Sequence, residues 1–389
     1  MNPHQLHVEG QRDDDAPGRH MAYAAERWER MTGNKVRVGL IGFGYAGQTI
    51  HAPLISATPG LQLTAVASRD AAKVHTSLGR HLAVCDPLQV TQRSDVDLVV
   101  IASPNDAHLS GAMGALSAGR HVVIDKPFTL DVAQAQQLAG QAQAARRLLS
   151  VFHNRRWDSD FLSLRQVLDQ GRLGRVVEFA SHFDRYRPTV RLRWREGTGP
   201  GAGLWMDLGP HLLDQTVQLF GRPCSLRLDL ARMRDGALAD DWFEATLCWT
   251  RGPHAGLRAR LHASTLAAQP GPRFAVHGTH GSYVVDGLDE QEDQLKAGHR
   301  PDTLPAGRWG QDSRLARLAL TAGDASKPDS LRHETLPLLP GDYPAFYVGI
   351  RDALLGHGNN PVPVEEALQV QHLLDAGRAS AAVGRSIDL

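Results

Sequence analysis

Apolar runs of strand length alternate with helical periodicity through the first 154 residues. VRVGLIG (Val36–Gly42), LQLTAVA (Leu61–Ala67), VDLVVIA (Val96–Ala102), HVVI (His121–Ile124) and LLSVFHN (Leu148–Asn154) are short, branched and almost uncharged, the pattern of buried strands. A further short strand falls near His81–Val84. Between these runs, Tyr45–Ile55, Ala71–Leu78, Ala107–Ala118 and Asp131–Arg147 read as helices. Such alternation predicts an α/β fold with a parallel, doubly wound sheet, and places ligands at the carboxyl ends of its strands.

After residue 154 the pattern changes. One helix is expected over Ser159–Gln170, and then VVEFASHFDRYR (Val176–Arg187) alternates residue by residue as a half-buried strand does. Strand-like runs recur at Ser225–Ala231, Glu244–Thr250, Leu257–Ser264, Arg273–Gly278 and Ser282–Val285, with turn-length connections that suit a mostly antiparallel sheet. Gln291–Pro337 is weakly periodic and mixed in charge and is expected to include long loops, and helices return at Tyr343–Leu355 and Val364–Ala382. The expected organisation is a polar extension over 1–34, a dinucleotide-binding Rossmann domain over 35–154, and an α+β domain over 155–389. The second domain's open sheet face would serve an oligomer contact or cover the substrate.

Composition narrows the function classes. The 42 basic residues balance the 42 acidic ones, so no global field favours nucleic acid or an anionic membrane. The longest apolar runs are far too short to span a bilayer. Cys85, Cys224 and Cys248 are few, odd in number and widely spaced, which argues against a disulfide framework and a Cys-x-x-Cys metal site and suits a reducing cytosol. Residues 1–34 lack a secretory apolar core and read as a disordered or non-native extension, with Met21 and Met31 as alternative starts. The expectation is a cytoplasmic protein that acts on a small molecule.

The first candidate site follows β-strand VRVGLIG, where glycines stand at 42, 44 and 47 before a helix. Gly42 would make the tight turn, Gly44 would let a diphosphate approach the main chain, and Gly47 would let helix and strand pack closely. The helix N-terminus would supply N–H groups and a positive dipole end for the anion. About 20 positions further on, where a NAD site usually carries an acid for the ribose 2′-hydroxyl, the chain has Ser68 and Arg69. A hydroxyl and a guanidinium suit a 2′-phosphate, so NADP(H) is expected, with NAD(H) as the alternative because Asp70 is one step away.

Two further constellations carry chemistry. Asp125-Lys126-Pro127 ends a strand, and Pro127 holds Lys126 away from helical geometry, so its ammonium can face a substrate oxygen. In GPGAGLWMDLGPHLLDQTVQLFG (Gly199–Gly221), Asp207 and His211 are four apart and would project the same way from a helix. A carboxylate close to His211 would favour the charged imidazole, the group that exchanges protons near neutrality. The alternative is structural: Asp207 as an N-cap of a helix over His211–Phe220, with Pro210 in its first turn and His211 in the core. No third ligand stands near this pair, so no metal is expected.

GFGYAG, ASPNDAH, DKP and GAGLWMDLGPH, in this order, resemble the glucose–fructose oxidoreductase / inositol dehydrogenase / MocA (Gfo/Idh/MocA) family from about residue 35 to the C-terminus. FHNRRWDSDFL, SHFDRYRP and RWRE are similar to the branch that contains NADP-dependent scyllo-inositol dehydrogenases. The resemblance implies a catalytic group of Lys126, Asp207 and His211, with His211 as proton acceptor and Asp207 as its hydrogen-bonding partner. It also implies a cofactor site formed by Gly42, Gly44, Tyr45, Ala46, Gly47, Ser68, Arg69, Ser103, Pro104, Asn105, His108, Asp125 and Lys126. The chain departs from the family pattern at Asp125, where glutamate is usual, and at Pro200, which falls in the glycine stretch. The implied activity is hydride transfer between NADP(H) and a secondary alcohol or ketone of a sugar or cyclic polyol, in a homodimer or homotetramer. A reductase of another carbonyl and a catalytically silent dinucleotide-binding regulator are the alternatives. Arg155, Arg156 and Trp157, like Trp194 and Arg195, either line a polar pocket or make domain contacts.

Overall fold

Val36–Ile41 (β1) is hydrogen-bonded in parallel to Leu61–Ala67 (β2) on one side and to Leu98–Ile101 (β4) on the other. Ala83–Cys85 (β3), His121–Ile124 (β5) and Leu149–Val151 (β6) complete a six-stranded parallel sheet in the order β3-β2-β1-β4-β5-β6. The strand order reverses between β1 and β4, which opens a crevice at their carboxyl ends. The computed structural model describes residues 35–389 except 192 and 323–330, so the expected extension over 1–34 lies outside the described residues.

The crossover elements differ from expectation in detail. The chain after β1 begins as a π-helical turn (Ala46–His51) and continues as α1 (Ala52–Ala57), two residues beyond the expected end. Ala71–Leu78 (α2) matches its periodicity, whereas Pro87–Gln92 (α3) was not expected from the pattern. Its signal is local: Asp86 and Gln89 form a reciprocal capping box, with Pro87 at the first position. His108–Ser117 (α4) and Val132–Ala145 (α5) complete the layers.

Ser159–Asp169 (α6) leads into a nine-stranded mixed sheet. Val176–His182 (β7) pairs in parallel with Arg258–Ser264 (β10) and antiparallel with Phe274–Gly278 (β11). Ser225–Ala231 (β8), Trp242–Cys248 (β9) and Gly281–Val285 (β12) extend it antiparallel. The stretch read as loops contains a helix, Gln291–Lys296 (α8), and two strands, Leu315–Thr321 (β13) and Leu331–Pro337 (β14). β14 is an edge strand with no buried residue, so it shows almost no hydrophobic alternation. A final short strand, Ile387–Asp388 (β15), closes the opposite edge.

One face of this sheet is packed. Phe243, Ala245 and Leu247 of β9 and Ala259, Leu261 and Ala263 of β10 lie against Leu204–Phe220 (α7) and the C-terminal helix Val364–Val383 (α10). The other face carries Glu178, Arg258 and Arg260, which alternate with the core residues. Pro344–Leu354 (α9) packs on the first domain instead: Tyr343, Phe346, Tyr347 and Ile350 belong to the same core as β1, β4 and β5. The C-terminal segment therefore helps to seal both cores. No helix among the described residues is long and apolar enough to cross a membrane.

Candidate active site

The glycine turn lies at the switch point of the parallel sheet, and its three glycines are required for different reasons. Gly42 has φ +100°, and a Cβ there would meet the Ala102 carbonyl oxygen at 2.6 Å, because β1 and β4 deliver their ends side by side. At Gly47 a Cβ would collide with the Gly42 carbonyl oxygen. A Cβ at Gly44 would meet nothing within 4 Å, which leaves open space beside the main chain where a diphosphate would approach. Ala46 opens the helix beyond it, and Tyr45 points across the crevice, donating its hydroxyl to Glu292 Oε1 at 2.7 Å.

At the end of β2, Arg69 is exposed and makes no hydrogen bond or ion pair among the described residues. Ser68 Oγ accepts from the Asp70 N–H, and Asp70 Oδ1 caps α2 by accepting from the Lys73 N–H at 2.9 Å. The acid at the position expected to serve a ribose is thus occupied as an N-cap. Lys73, which the sequence reading passed over, donates from Nζ to the Phe43 carbonyl at 3.1 Å and so stands beside the glycine turn.

The ends of β4 and β5 are tied together behind this turn. His108 is buried, with Nδ1 2.9 Å from the Pro127 carbonyl and Nε2 3.1 Å from the Ser103 carbonyl. Its role in the structure is to fix the Ser103-Pro104 and Lys126-Pro127 loops. Asn105 donates from Nδ2 to the Gly201 carbonyl at 3.2 Å and joins the first domain to the glycine stretch of the second. Pro200 is accommodated there. Gly199–Ala202 is closed by the Ala202 N–H on the Gly199 carbonyl at 3.1 Å, with Gly201 at φ +77°. Proline second and a positive φ third is the arrangement of a type II turn. Asp125 is buried with its side chain accepting from the Lys126 N–H at 2.8 Å. Burial opposes its ionisation, but His51, Lys126 and His108 outweigh that and hold its pKa at about 2.

Lys126 and Asp207 meet in the crevice between the domains. Lys126 Nζ donates to Asp207 Oδ1 at 2.9 Å and to the Asp207 carbonyl at 2.8 Å, and Arg195 Nε lies 3.4 Å from the same Oδ1. Burial pushes the Asp207 carboxyl up, yet Lys126, Arg195 and Arg185 more than compensate and keep it well below the usual carboxylate range. Asp207 is not an N-cap. The helix begins at Leu204, so Asp207 lies in its first turns and Pro210 in its interior. The cap comes from far along the chain: Asp240 accepts from the Leu204 N–H through its carbonyl and from the Trp205 N–H through Oδ2.

His211 departs from expectation in its partner. It is not hydrogen-bonded to Asp207, and Nδ1 is buried without a partner among the described residues. Burial, with Lys126, Arg155, His153 and Arg273 adding to it, drives its pKa well below the ordinary imidazole range. The neighbouring carboxylate does not hold it charged, because Asp207 is engaged by Lys126 and Arg195. His211 is therefore a neutral imidazole at neutral pH. His153, to which the sequence assigned no role, is buried with both ring nitrogens unpartnered among the described residues and its pKa lowered by burial.

The arginine-rich strings separate into two roles. Arg155 Nη2 donates to Glu292 Oε2 at 2.8 Å, and Arg156 bridges Asp214 and Glu366; these pairs tie segments of the second domain together. Trp194 carries the Arg195 guanidinium over its ring at 4.6 Å, and Arg195 reaches Asp207. Away from the crevice, His182, Asp184 and His262 offer three ligand atoms within 4.8 Å of one another. Asp184 already accepts from the Ser264 and Gly271 N–H groups and faces His262 Nδ1 at 2.9 Å, so its oxygens are satisfied by the protein.

Comparison with known proteins identifies the family and the fold. The model of the oxidoreductase family's NAD-binding Rossmann fold matches residues 36–153, and that of its C-terminal alpha/beta domain matches residues 165–389. The chain is 49% identical to the uncharacterized oxidoreductase YdgJ of Escherichia coli (strain K12) over 90% of its length and 97% of that protein's. It is 31% identical to scyllo-inositol 2-dehydrogenase (NADP(+)) IolW of Bacillus subtilis (strain 168), over 91% and 96% of the two chains. The solved structure of YPO2259 from Yersinia pestis superimposes with a TM-score of 0.85 at 49% identity, covering 92% of this chain and 98% of that one. A Rossmann domain built for NAD(P), joined to this second domain around Lys126, Asp207 and His211, makes the chain a member of the Gfo/Idh/MocA oxidoreductase family.

Proposed function

We propose that the protein is an NADP-dependent oxidoreductase that moves a hydride between the nicotinamide and a secondary alcohol or ketone of a sugar or cyclic polyol, scyllo-inositol being the reference compound. The observation that carries this reading is the juxtaposition of a partly buried ammonium, Lys126, held by Asp207, with a neutral imidazole, His211, at the mouth of a dinucleotide crevice. NADP is favoured over NAD by an exposed, unpaired Arg69 and by Lys73 beside the glycine turn, while Asp70 is committed to capping. IolW, a scyllo-inositol 2-dehydrogenase (NADP(+)), is consistent with the cofactor and the substrate class.

Bound NADP(+) supplies the hydride acceptor, and the residues of this chain manage the proton and the developing charge. Lys126 donates a hydrogen bond to the reacting oxygen and stabilises the negative charge that grows on it. Asp207 fixes the direction of that ammonium. The His211 imidazole, neutral at rest, takes the hydroxyl proton when an alcohol is oxidised and returns it when a ketone is reduced. The crevice between the domains limits water around the pair.

A panel of inositols, aldoses and ketoses read by NADPH absorbance tests the reading. Turnover of at least one cyclic polyol or sugar with NADP(+), at a rate well above that with NAD(+), is expected. Tight NADP(H) binding with no turnover of any compound would favour the silent regulator instead.

A further inference from the structure

Most of the strongly buried arginines of this chain have an anionic partner: Arg155 has Glu292, Arg156 has Asp214 and Arg234 has Asp241. Arg185 and Arg187, which are less deeply buried, have none among the described residues. Neither guanidinium makes a hydrogen bond or an ion pair among the described residues, although both side chains are partly buried. Their main chain is nevertheless fixed. The Arg185 N–H donates to the Ser264 carbonyl at 2.8 Å and the Arg187 N–H to the Thr265 carbonyl at 2.7 Å, and Tyr186 bridges to Leu266. An extended segment held in this way projects residues 185 and 187 to one side and Tyr186, which is exposed, to the other. Arg185 also rests over the Phe183 ring at 4.8 Å.

The surroundings do not neutralise these cations. The carboxylates close enough to act on both are Asp207 and Glu292. Asp207 is already shared by Lys126 and Arg195, and Glu292 by Arg155 and Lys296. Burial and the neighbouring Arg187 make it harder for Arg185 to stay charged, so collecting these groups beside the catalytic pair costs free energy that a bound anion would offset. A guanidinium pair on a fixed backbone is suited to a carboxylate or phosphate oxyanion.

We propose that Arg185 and Arg187 form an oxyanion-binding subsite for the substrate, so that the preferred sugar or polyol carries an acidic group, a carboxylate or a phosphate monoester, away from the carbon that is oxidised. This rests on the oxidoreductase reading above and narrows its substrate class. The subsite anchors the acidic end while Lys126 engages the reacting oxygen.

The test uses the full chain with NADP(+) and matched compounds: D-glucose against D-glucuronate and glucose 6-phosphate, and D-galactose against D-galacturonate. Turnover is read by NADPH absorbance, and binding is read independently by calorimetry in the presence of NADP(H). At least one acidic member is expected to bind about ten- to hundredfold more tightly than its neutral parent, the range of a charge-assisted hydrogen bond, with an advantage that shrinks as salt is raised. Which acid gains distinguishes carboxylate from phosphate. Arg185→Ala is expected to remove that advantage through KM and Kd more than through kcat, and Arg185→Lys to restore part of it. Equal binding of acidic and neutral members overturns the subsite. So does an Arg185→Ala variant whose loss appears in the NADP(H) affinity, which would assign the guanidinium to the cofactor. If an acid binds through Arg185 but no compound is turned over, the subsite stands and the oxidoreductase reading fails.

Discussion

The Lys126 ammonium donates to two oxygens of a single residue, Asp207: 2.9 Å to Oδ1 and 2.8 Å to the main-chain carbonyl. One residue ends β5 of the dinucleotide domain and the other lies in the first turns of α7 in the second, so the contact that orients the ammonium also registers the two domains. Placing the carboxylate and a helical carbonyl on the same Nζ leaves the third ammonium proton for a ligand.

The first expected outcome follows from that sharing. Lys126→Ala should lower kcat/KM by about 10²–10³, the usual loss when one preorganised charge-stabilising donor is removed, while calorimetric NADP(H) affinity stays within a few-fold. Asp207→Asn should also lower kcat/KM, because the ammonium is then held by neutral oxygens only. If Asp207 acts through Lys126, the double variant should be no worse than Lys126→Ala alone. Fully additive losses would show that Asp207 has a separate role.

His211 carries a prediction about pH. Because burial lowers its pKa, the basic imidazole is the form present at neutrality, and alcohol oxidation should lose activity only as pH falls below about 6.5, the ordinary histidine value. His211→Asn should lower the oxidation rate by about 10²–10⁴ and remove this acid limb. A limb centred above pH 7 in the wild type would contradict the buried, neutral imidazole.

Stability should follow the same sign. His108, His153 and His211 all have folded-state pKa values below the unfolded one, so the folded state binds fewer protons than the unfolded chain as pH falls. Their contribution is complete above about pH 6.5 and is lost progressively below it, at up to about 1.4 kcal/mol per pH unit for each group. Denaturant midpoints should therefore fall between pH 6.5 and 5, and His153→Phe, which removes two unpartnered buried nitrogens, should flatten that fall.

Much of this architecture was legible in the sequence, and what was not has identifiable causes. The parallel strands are buried on both faces, so their apolar runs stand out, and β8, β9 and β10 alternate cleanly over a one-sided core. β14 lacks a buried residue and so gave no signal. The start of α7 was missed because its cap, Asp240, is 36 positions from Leu204 and no local pattern marks it. Lys126, Asp207 and His211 stand out as candidates by residue type, spacing and resemblance, but the contacts around them depend on the approach of two domains. The periodicity that set Asp207 and His211 on one helix face was correct, and the expected bond between them was not, since Lys126 and Arg195 arrive first. Lys73 lies in no motif, and His153 and Arg185 lie in strings that carry resemblance but no assigned role, so all three become visible only through what surrounds them.

Cofactor choice should depend on Arg69. An exposed guanidinium at the end of β2, without a partner among the described residues, is placed to meet a 2′-phosphate, and a charge-assisted hydrogen bond is worth about 1.5–3 kcal/mol. Arg69→Ala should raise KM for NADP(H) about ten- to hundredfold and leave KM for NAD(H) nearly unchanged. Lys73→Ala should act in the same direction and more weakly, because its ammonium is shared with the Phe43 carbonyl. Equal losses with both cofactors would assign these cations to the diphosphate.

The last prediction separates the glycines that build the turn from the one that serves a ligand. A Cβ at Gly47 would strike the Gly42 carbonyl, a main-chain atom that cannot swing aside, so Gly47→Ala must shift the helix or the turn. Overpacking of this kind typically costs about 1–3 kcal/mol, and the variant should unfold at lower denaturant with or without cofactor. Gly44 has no atom within 4 Å of its would-be Cβ, and its φ lies outside the left-handed region. Gly44→Ala should therefore keep the wild-type denaturant midpoint in the absence of cofactor. The added methyl group would stand where a diphosphate approaches the main chain, so NADP(H) affinity should fall at least tenfold. Calorimetry and denaturant unfolding on the two variants decide the matter together. A Gly44→Ala protein that binds NADP(H) as well as the wild type would move the diphosphate away from this turn and with it the role assigned to the whole glycine motif.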